Sequence, residues 1–212
     1  MKLAAAVLLV AALAAPVDAA PDCAREADRL RAHLEQASRN ASRWTYGWAI
    51  AFGAAAAGQL TLALTEIKPF GTFDADYEET LYVGAAKASI GLLSRVVLPL
   101  RVHVPAPDAD RCAELTALRA AVTTTAHAER RSFWLNHVGG FALNLAGAGL
   151  LWHRRSFSVG AISFAMSYPI GLLSAYTQPR KTWHLWRDEH VTWSTGVIVQ
   201  PDHAMLTVAG AF

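Results

Sequence analysis

Apolar residues recur with the period of an α-helix in four segments of this chain, at residues 44–65, 80–98, 137–152 and 158–176. The first segment continues a stretch without Gly or Pro, in which the residues at helical steps form one mostly apolar face: Cys23, Ala27, Leu30, Leu34, Ala37, Ala41 and Trp44. Steps of three and four residues are the spacing of one helix face. We therefore predict one long helix over residues 23 to about 66, amphipathic at first and apolar afterwards.

A second long helix is predicted after a linker rich in proline. The prolines between residues 99 and 107 favour an extended chain. Asp108 or Asp110 can then cap a helix that begins near Cys112. This helix is again amphipathic at its start and runs without a breaker into the apolar segment at 137–152. The two amphipathic halves together predict a helical hairpin outside the apolar bundle.

The last part of the chain changes period. Apolar residues alternate with polar or small ones over residues 191–199 and 206–212, on either side of a turn at 201–203, which predicts a β-hairpin. The predicted fold class is therefore an all-α, membrane-associated bundle of four apolar helices. Two of these extend into an amphipathic extramembrane hairpin, and a C-terminal β-hairpin follows. The predicted parts are a signal peptide at 1–19, a helical membrane bundle with a periplasmic stalk at 20–178, and a juxtamembrane tail at 179–212.

Small residues form stripes on the apolar segments at helical spacing. Small side chains let two helices approach closely inside a bilayer, where burying apolar surface gives no driving force. We therefore predict helix packing at eight glycines, namely Gly47, Gly58, Gly84, Gly91, Gly140, Gly147, Gly160 and Gly171. Ser163, Ser167 and Ser174 lie on the last stripe and are interpreted as packing residues, since none of them sits in a nucleophile motif.

Composition and the N-terminus place the chain in a cell envelope. The hydrophobic fraction is 53% and the charged fraction 17%, and a net charge of +2 without basic clusters argues against nucleic acid as a partner. A Lys followed by a short apolar run and small residues is typical of a secretory signal, with cleavage after Ala19 or Ala20. An uncleaved N-terminal anchor is the alternative.

The two cysteines of an exported chain favour a disulfide in an oxidising compartment, with two free thiols as the alternative. Cys23 lies 21 residues before Trp44, which places it roughly 30 Å above the start of the first apolar segment. Cys112 lies 25 residues before His137, or about 37 Å above the third segment. The linker at 101–111 can extend roughly 36 Å and so reach the same height. We predict a Cys23–Cys112 bridge at the tip of the stalk.

Four crossings from an exported N-terminus put both cysteines and the C-terminus on the exported side. The basic turn at Arg154 and Arg155 then lies on the cytoplasmic side, as the positive-inside tendency requires. This topology favours the inner over the outer membrane. The predicted partner is membrane lipid, and a protein that binds the stalk or the tail is a further candidate. The sequence does not indicate an oligomeric state.

The residues that could carry chemistry form no assembled set. Polar residues in or beside the apolar segments, Lys87, Glu66, His137 and Asn144, would need to converge before an embedded enzyme or transporter is supported. Metal-ligand residue types at 184–190 match no trusted zinc spacing. We therefore predict no catalytic, cofactor-binding or metal residues, and favour a structural or interaction protein over an enzyme.

Two other architectures remain open at this stage. The alternating residues before the terminal Phe212 resemble the last strand of bacterial outer-membrane β-barrels, and residues 44–52, 60–64 and 162–168 also alternate. That resemblance implies a small barrel acting as a pore or anchor, but alanine-rich stretches such as 53–58 are poor strand formers. A helical protein free in the periplasm is the other alternative.

Overall fold

The computed structural model describes residues 23–65, 75–190, 192–200 and 203–211. Five helices follow one another, and their bounds are α1 Cys23–Thr65, α2 Ala75–Val97, α3 Arg111–Arg154, α4 Phe157–Tyr176 and α5 Lys181–His190. The predicted signal peptide at 1–19, its cleavage site, Glu66 and most of the acidic loop after α1 lie outside the described residues. All four predicted apolar segments are helical, which confirms the helical interpretation.

The long helices form where capping residues and uninterrupted patterns predict them. Asp110 precedes α3, and its carboxylate accepts hydrogen bonds from the amides of Cys112 at 2.9 Å and Ala113 at 3.2 Å. The Ser156 hydroxyl accepts from the Val159 amide at 3.3 Å and begins α4. Such side-chain acceptors satisfy the free N–H groups of a helix start. The short helix α5 was not predicted from the sequence.

The N-terminal half of α1 packs on the first half of α3, and the two form the stalk. Their shared core is built from aliphatic side chains that are buried at helical spacing: Ala27, Leu30, Leu34, Leu115, Leu118 and Val122. The linker that precedes α3 adds Val102 and Val104 to this core. The predicted amphipathic stripes are thus confirmed as the contact faces of the stalk.

A disulfide and an ion-pair network close the tip of the stalk. Cys23 and Cys112 are joined with their Cα atoms 5.1 Å apart, across 89 residues of chain. Nearby, the buried carboxylate of Glu114 binds both Arg31 and Arg111. The hydrogen bond from Arg31 and the charge of both guanidiniums hold the pKa of Glu114 below its ordinary value, against the opposing effect of burial. The tip is therefore fixed by covalent and ionic contacts.

The apolar bundle is formed by the C-terminal halves of α1 and α3 together with α2 and α4. In it α1 packs mainly on α2, α4 mainly on α3, and α2 also touches α3 and α4. Its large apolar side chains point outward: Ile50, Leu64, Leu93, Val138, Leu145, Ile162, Met166 and Leu173 are all exposed. Small and polar residues such as Ala88, Ser163 and Gly160 lie inside. The bundle is thus apolar on its surface and comparatively polar within.

Two helices of the described chain are long and apolar enough to cross a membrane, α1 and α4. The sequence predicts four crossings. Helices α2 and α3 do not reach the apolar character of α1 and α4: Lys87 and Arg95 lie within the apolar stretch of α2, and Asn144 lies within that of α3. The structure therefore supports two candidate spans, and the four-span arrangement stays a prediction.

The segments that a β-barrel would use as strands are helical. Residues 44–52 and 60–64 lie in α1 and residues 162–168 in α4, so the barrel interpretation is wrong for them. The C-terminal hairpin stays a prediction, with β1 Thr192–Gln200 and β2 His203–Ala211 as its strands. The fold that the structure supports is all-α.

Candidate functional site

One of the two cations on the inner face of α2 lies against the small-residue stripe of α4. The Lys87 ammonium donates hydrogen bonds to the Ser167 hydroxyl at 2.8 Å and to the Ser163 hydroxyl at 3.3 Å. The Ser167 hydroxyl in turn donates to the Ser163 carbonyl at 2.6 Å. These serines are therefore acceptors for a cation, a role beyond the packing predicted for them.

The second cation, Arg95, is more deeply enclosed, with a relative exposure of 6%. Its guanidinium donates to the Ser174 hydroxyl at 2.8 Å and lies 4.3 Å from the centre of the Trp44 ring. A guanidinium over an indole face is a favourable cation–π arrangement. Among the described residues no carboxylate pairs with Lys87 or Arg95. Serine hydroxyls take the place of a counter-ion for Lys87. A serine hydroxyl and the Trp44 ring do so for Arg95.

Lys87 and His137, two of the four residues that an embedded enzyme would need together, lie apart in the structure. Asn144 donates to the Gly140 carbonyl of its own helix at 2.8 Å. His137 stacks on Phe133 with ring centres 5.8 Å apart. The Lys87 side chain lies against Gly147, ten residues further along α3 than His137, which is roughly 15 Å of helix. Lys87 and His137 therefore belong to different levels of the bundle, and Glu66 lies outside the described residues.

The eight glycines predicted to pack helices divide into two groups. A methyl group added at Gly160 would lie 2.5 Å from the Ala148 carbonyl oxygen, and one at Gly147 would lie 2.9 Å from the Lys87 side chain. Additions at Gly84 and Gly91 would meet Gln59 and Phe52, and one at Gly171 would make ordinary contact with Asn144. At the remaining three, nothing among the described residues lies within 4 Å: Gly47, Gly58 and Gly140. A role in helix packing at those three positions stays a prediction.

A buried polar cluster lies where the stalk meets the bundle, and we call it the junction cluster: Glu129, Ser132, Asn136, Gln178 and Thr182. The Glu129 carboxylate accepts the backbone amide of Trp183 at 2.7 Å, and the Thr182 hydroxyl and amide also bind it. The side-chain amide of Gln178 donates to the backbone carbonyl of Glu129 at 2.8 Å. These bonds attach the start of α5 to the side of α3.

The rest of the junction cluster completes the hydrogen bonds of Gln178. Its side-chain oxygen accepts from the Ser132 hydroxyl at 3.0 Å and from the Asn136 amide at 2.9 Å. Gln178 and Thr182 are both buried. A fully bonded buried polar network specifies one arrangement of the elements that it joins. The junction cluster therefore fixes where α4 ends and α5 begins.

Glu129 is the chemically distinctive member, since its relative exposure is 1%. Burial raises the pKa of Glu129 to about 7, although the hydrogen bonds from Trp183 and Thr182 favour the charged form. Beside it, the His33 ring nitrogen lies 3.2 Å from the Thr182 hydroxyl. Burial and, after it, the charges of Lys181 and Arg29 lower the pKa of His33. The hydrogen bonds of Glu129 to the start of α5 indicate a structural role.

The sequence contains a signal for this cluster that pattern analysis missed. Glu129 continues the inward stripe of α3, four residues before the buried Phe133 and seven after the buried Val122. An acid on the buried face of an amphipathic helix needs a partner. Its partner comes from α5, an element that the sequence analysis did not assign.

Aromatic side chains pack around Phe133, next to the junction cluster. Phe133 meets Tyr176 edge to face at 5.7 Å and Trp183 at 5.9 Å, and the Arg180 guanidinium lies 4.7 Å from the Phe133 ring. Trp134 is exposed nearby on α3. Of the metal-ligand residue types at 184–190, His184 stacks on Trp183. Within the described ranges no three such side chains are grouped to hold a metal ion.

The similarity of this chain to characterised proteins gives no further constraint. No family model matches it, and neither a curated protein nor a solved structure is detectably similar to it. Its function must therefore be inferred from the arrangement of its own residues.

Proposed function

We propose that this protein is an exported integral membrane protein of the cell envelope that acts as a scaffold. In this proposal the bundle lies in the inner membrane, and the stalk stands on the exported side as a contact surface for a protein partner. Both termini are on that side after removal of the signal peptide at 1–19.

The distribution of apolar side chains is the observation that carries the proposal. Large apolar residues are exposed along all four helices of the bundle, including Ile50 on α1, Leu93 on α2, Leu145 on α3 and Met166 on α4. Monomeric soluble proteins rarely expose contiguous apolar surfaces of this extent. The 20 residues of α4 rise about 30 Å, which is the thickness of a hydrocarbon core.

Charges at the two ends of the bundle agree with this orientation. At the end away from the stalk, Glu79 forms ion pairs with both Arg154 and Arg155. Basic residues next to a spanning helix are typical of a cytoplasmic face. At the other end, the Cys23–Cys112 disulfide would persist in an oxidising compartment. Pro169 inside α4 also suits a membrane helix better than a soluble one.

A scaffold role is favoured over chemistry because the polar residues are bound within the protein. Lys87, Arg95 and Glu129 each make at least one side-chain hydrogen bond to another helix. An embedded enzyme or transporter is the alternative, and Lys87 with its two serine partners is the observation that favours it. A variant in which Lys87 is replaced by Met, folded and inserted as the wild type is, would retain a scaffold function and lose a transport function.

Cysteine accessibility tests the proposed topology. We would introduce one cysteine at a time at Ala32 on the stalk, at Ser158 next to the basic turn, and at Ile162 on the outer face of α4. A membrane-impermeant maleimide applied to intact spheroplasts should label position 32 at once. It should label position 158 only after the spheroplasts are lysed. Position 162 should stay unlabelled until detergent is added. Mass spectrometry of each variant confirms that the native disulfide is retained.

Three results would overturn the proposal. Labelling of position 162 before detergent addition would place the apolar face of α4 in water. Release of the intact protein from membranes by alkaline carbonate would show that it is bound peripherally. Labelling of positions 32 and 158 from the same side would contradict the crossing by α4 and α3.

A further inference from the structure

An open groove of about 330 Å³ lies between α1 and α4, at the end of the bundle nearest the stalk. On one side it is lined by a single face of α1, made up of Arg43, Trp44, Gly47, Trp48 and Ala51. The other side is formed by Leu173 and Thr177, at the end of α4. The groove is separate from the junction cluster and from the serines that bind Lys87.

The groove exists because the backbones of α1 and α4 stay apart. Helix α1 packs mainly on α2 and α4 mainly on α3. Two indoles bridge the gap: the N–H of Trp44 donates to the Ser174 carbonyl at 3.2 Å, and that of Trp48 to the Thr177 hydroxyl at 3.1 Å. Between them, no described atom lies within 4 Å of a side chain built at Gly47. The missing side chain at Gly47 therefore keeps the floor of the groove open.

One end of the groove is cationic and the rest is apolar or aromatic. Of the described residues that line it, Arg43 alone is charged, and it is exposed. It lies one turn of α1 before Gly47 and two turns before Ala51, so the groove extends roughly 12 Å from the charge towards the middle of the bundle. An occupant that complements this arrangement has an anionic head and an apolar chain.

We propose that the groove binds one acyl chain of an anionic phospholipid, with the lipid phosphate at the Arg43 guanidinium. This inference rests on the membrane location proposed above, since it requires the groove to open into a bilayer. A guanidinium matches a phosphate with two parallel hydrogen bonds. Trp44 and Trp48 lie at the level where the stalk begins, and tryptophan concentrates at the boundary between lipid headgroups and acyl chains. The lipid fills the open side of the bundle, where protein contacts between α1 and α4 are sparse.

Native mass spectrometry of the full-length mature protein in detergent tests the site. The protein is titrated with phosphatidylglycerol and, separately, with phosphatidylcholine of the same acyl chains. The wild type should retain one phosphatidylglycerol at concentrations where phosphatidylcholine is not retained. Arg43→Gln should weaken phosphatidylglycerol retention roughly five-fold and remove the preference between the two lipids. Gly47→Leu should abolish retention of both, because its side chain fills the groove.

Matched controls separate this site from general effects of the substitutions. Gly139→Leu makes the same change at an exposed α3 glycine with nothing within 4 Å, and it should bind lipid as the wild type does. Arg39→Gln removes an exposed stalk charge one turn before Arg43 and should also leave binding unchanged. An added Ala51→Leu variant narrows the groove at its apolar end and repeats the test if Gly47→Leu fails to fold. Inorganic phosphate should not displace the lipid, because the acyl chain carries part of the affinity.

Several outcomes would overturn the inference. If folded Gly47→Leu retains lipid as Gly139→Leu does, the groove is not the site. If Arg39→Gln lowers phosphatidylglycerol binding as much as Arg43→Gln does, the charge effect is non-specific. If inorganic phosphate alone displaces phosphatidylglycerol, the site recognises the anion and not the acyl chain. These results are distinct from failure of the membrane proposal, which would appear as a protein that is soluble without detergent.

Discussion

The stalk and the bundle use the same helices in opposite ways. In the stalk, Leu34 is fully buried and Arg39 points outward, as in a soluble helical hairpin. In the bundle, Ile162 is 63% exposed while Ser163, the next residue, is buried. The boundary falls within α1 and within α3, with no break in either helix. The difference teaches that one helix can reverse its polarity along its length, with a polar surface on the stalk and an apolar surface on the bundle.

The largest effect is expected from removing the disulfide, which should destabilise the stalk and leave the bundle intact. Replacing both Cys23 and Cys112 with Ser should destabilise the stalk by about 4 kcal/mol, because the bridge closes a loop of about ninety residues. The bundle should remain helical, so thermal unfolding followed by circular dichroism in detergent should gain an earlier transition. Dithiothreitol added to the wild type should reproduce it. A single unchanged transition would show that the stalk does not depend on the bridge.

A pair of truncations tests the reversal of the apolar faces directly. Leu34→Ala removes a buried stalk side chain and should lower the free energy of unfolding by about 3 kcal/mol. Ile162→Ala removes an exposed bundle side chain and should change it by less than about 0.5 kcal/mol. Chemical unfolding of the two variants in the same detergent gives the comparison. Equal losses at both sites would mean that the outer face of α4 is covered by protein.

The junction between the two regions should respond to pH through Glu129. Its pKa is about 7 in the folded protein against an ordinary value of 4.5. Because the folded carboxyl holds its proton more tightly, stability should fall as pH rises from 4.5 to about 7, by up to about 3 kcal/mol. Glu129→Gln can still accept the Trp183 amide and should flatten this dependence. Unfolding measured from pH 4 to pH 8 checks it.

One control variant keeps this test specific. Glu35→Gln removes an exposed stalk carboxylate and should keep the wild-type slope. If Glu129→Gln retains the same slope as the wild type, the fall arises from other groups. His33 is not one of them, because its lowered pKa makes stability rise as pH rises.

The smallest change in stability is expected when a bundle glycine is replaced by alanine, and it should differ between Gly160 and Gly58. Gly160→Ala should cost about 1–2 kcal/mol, since its methyl group would be forced against the Ala148 carbonyl oxygen. Gly58→Ala faces open space and should be neutral or stabilise α1 by up to about 1 kcal/mol. Thermal stability in detergent compares the pair. A loss at Gly58 as large as that at Gly160 would reveal a neighbour at Gly58 in the assembled protein.

Helix positions were largely predictable because the relevant signals are local. The stripe from Ala27 to Trp44 and the Asp110 cap depend on neighbours within a few residues, and the start of α3 follows from them. The glycine stripes show the limit of such local signals. Spacing on a helix shows which residues share a face, but it cannot show whether that face meets another helix. Gly160 meets α3, whereas Gly58 meets nothing among the described residues.

By itself the sequence determined the helices, their polar and apolar halves, and the two cysteines at matching heights, since each follows from periodicity and chain length. The tertiary structure alone decided what lies opposite each face: the serines of α4 for Lys87 and Arg95, and α5 for Glu129. It also decided that α1 and α4 stay apart and leave the groove beside Arg43. Such contacts depend on residues 50 to 130 positions away in the chain, and no local pattern encodes which of many equivalent faces will meet.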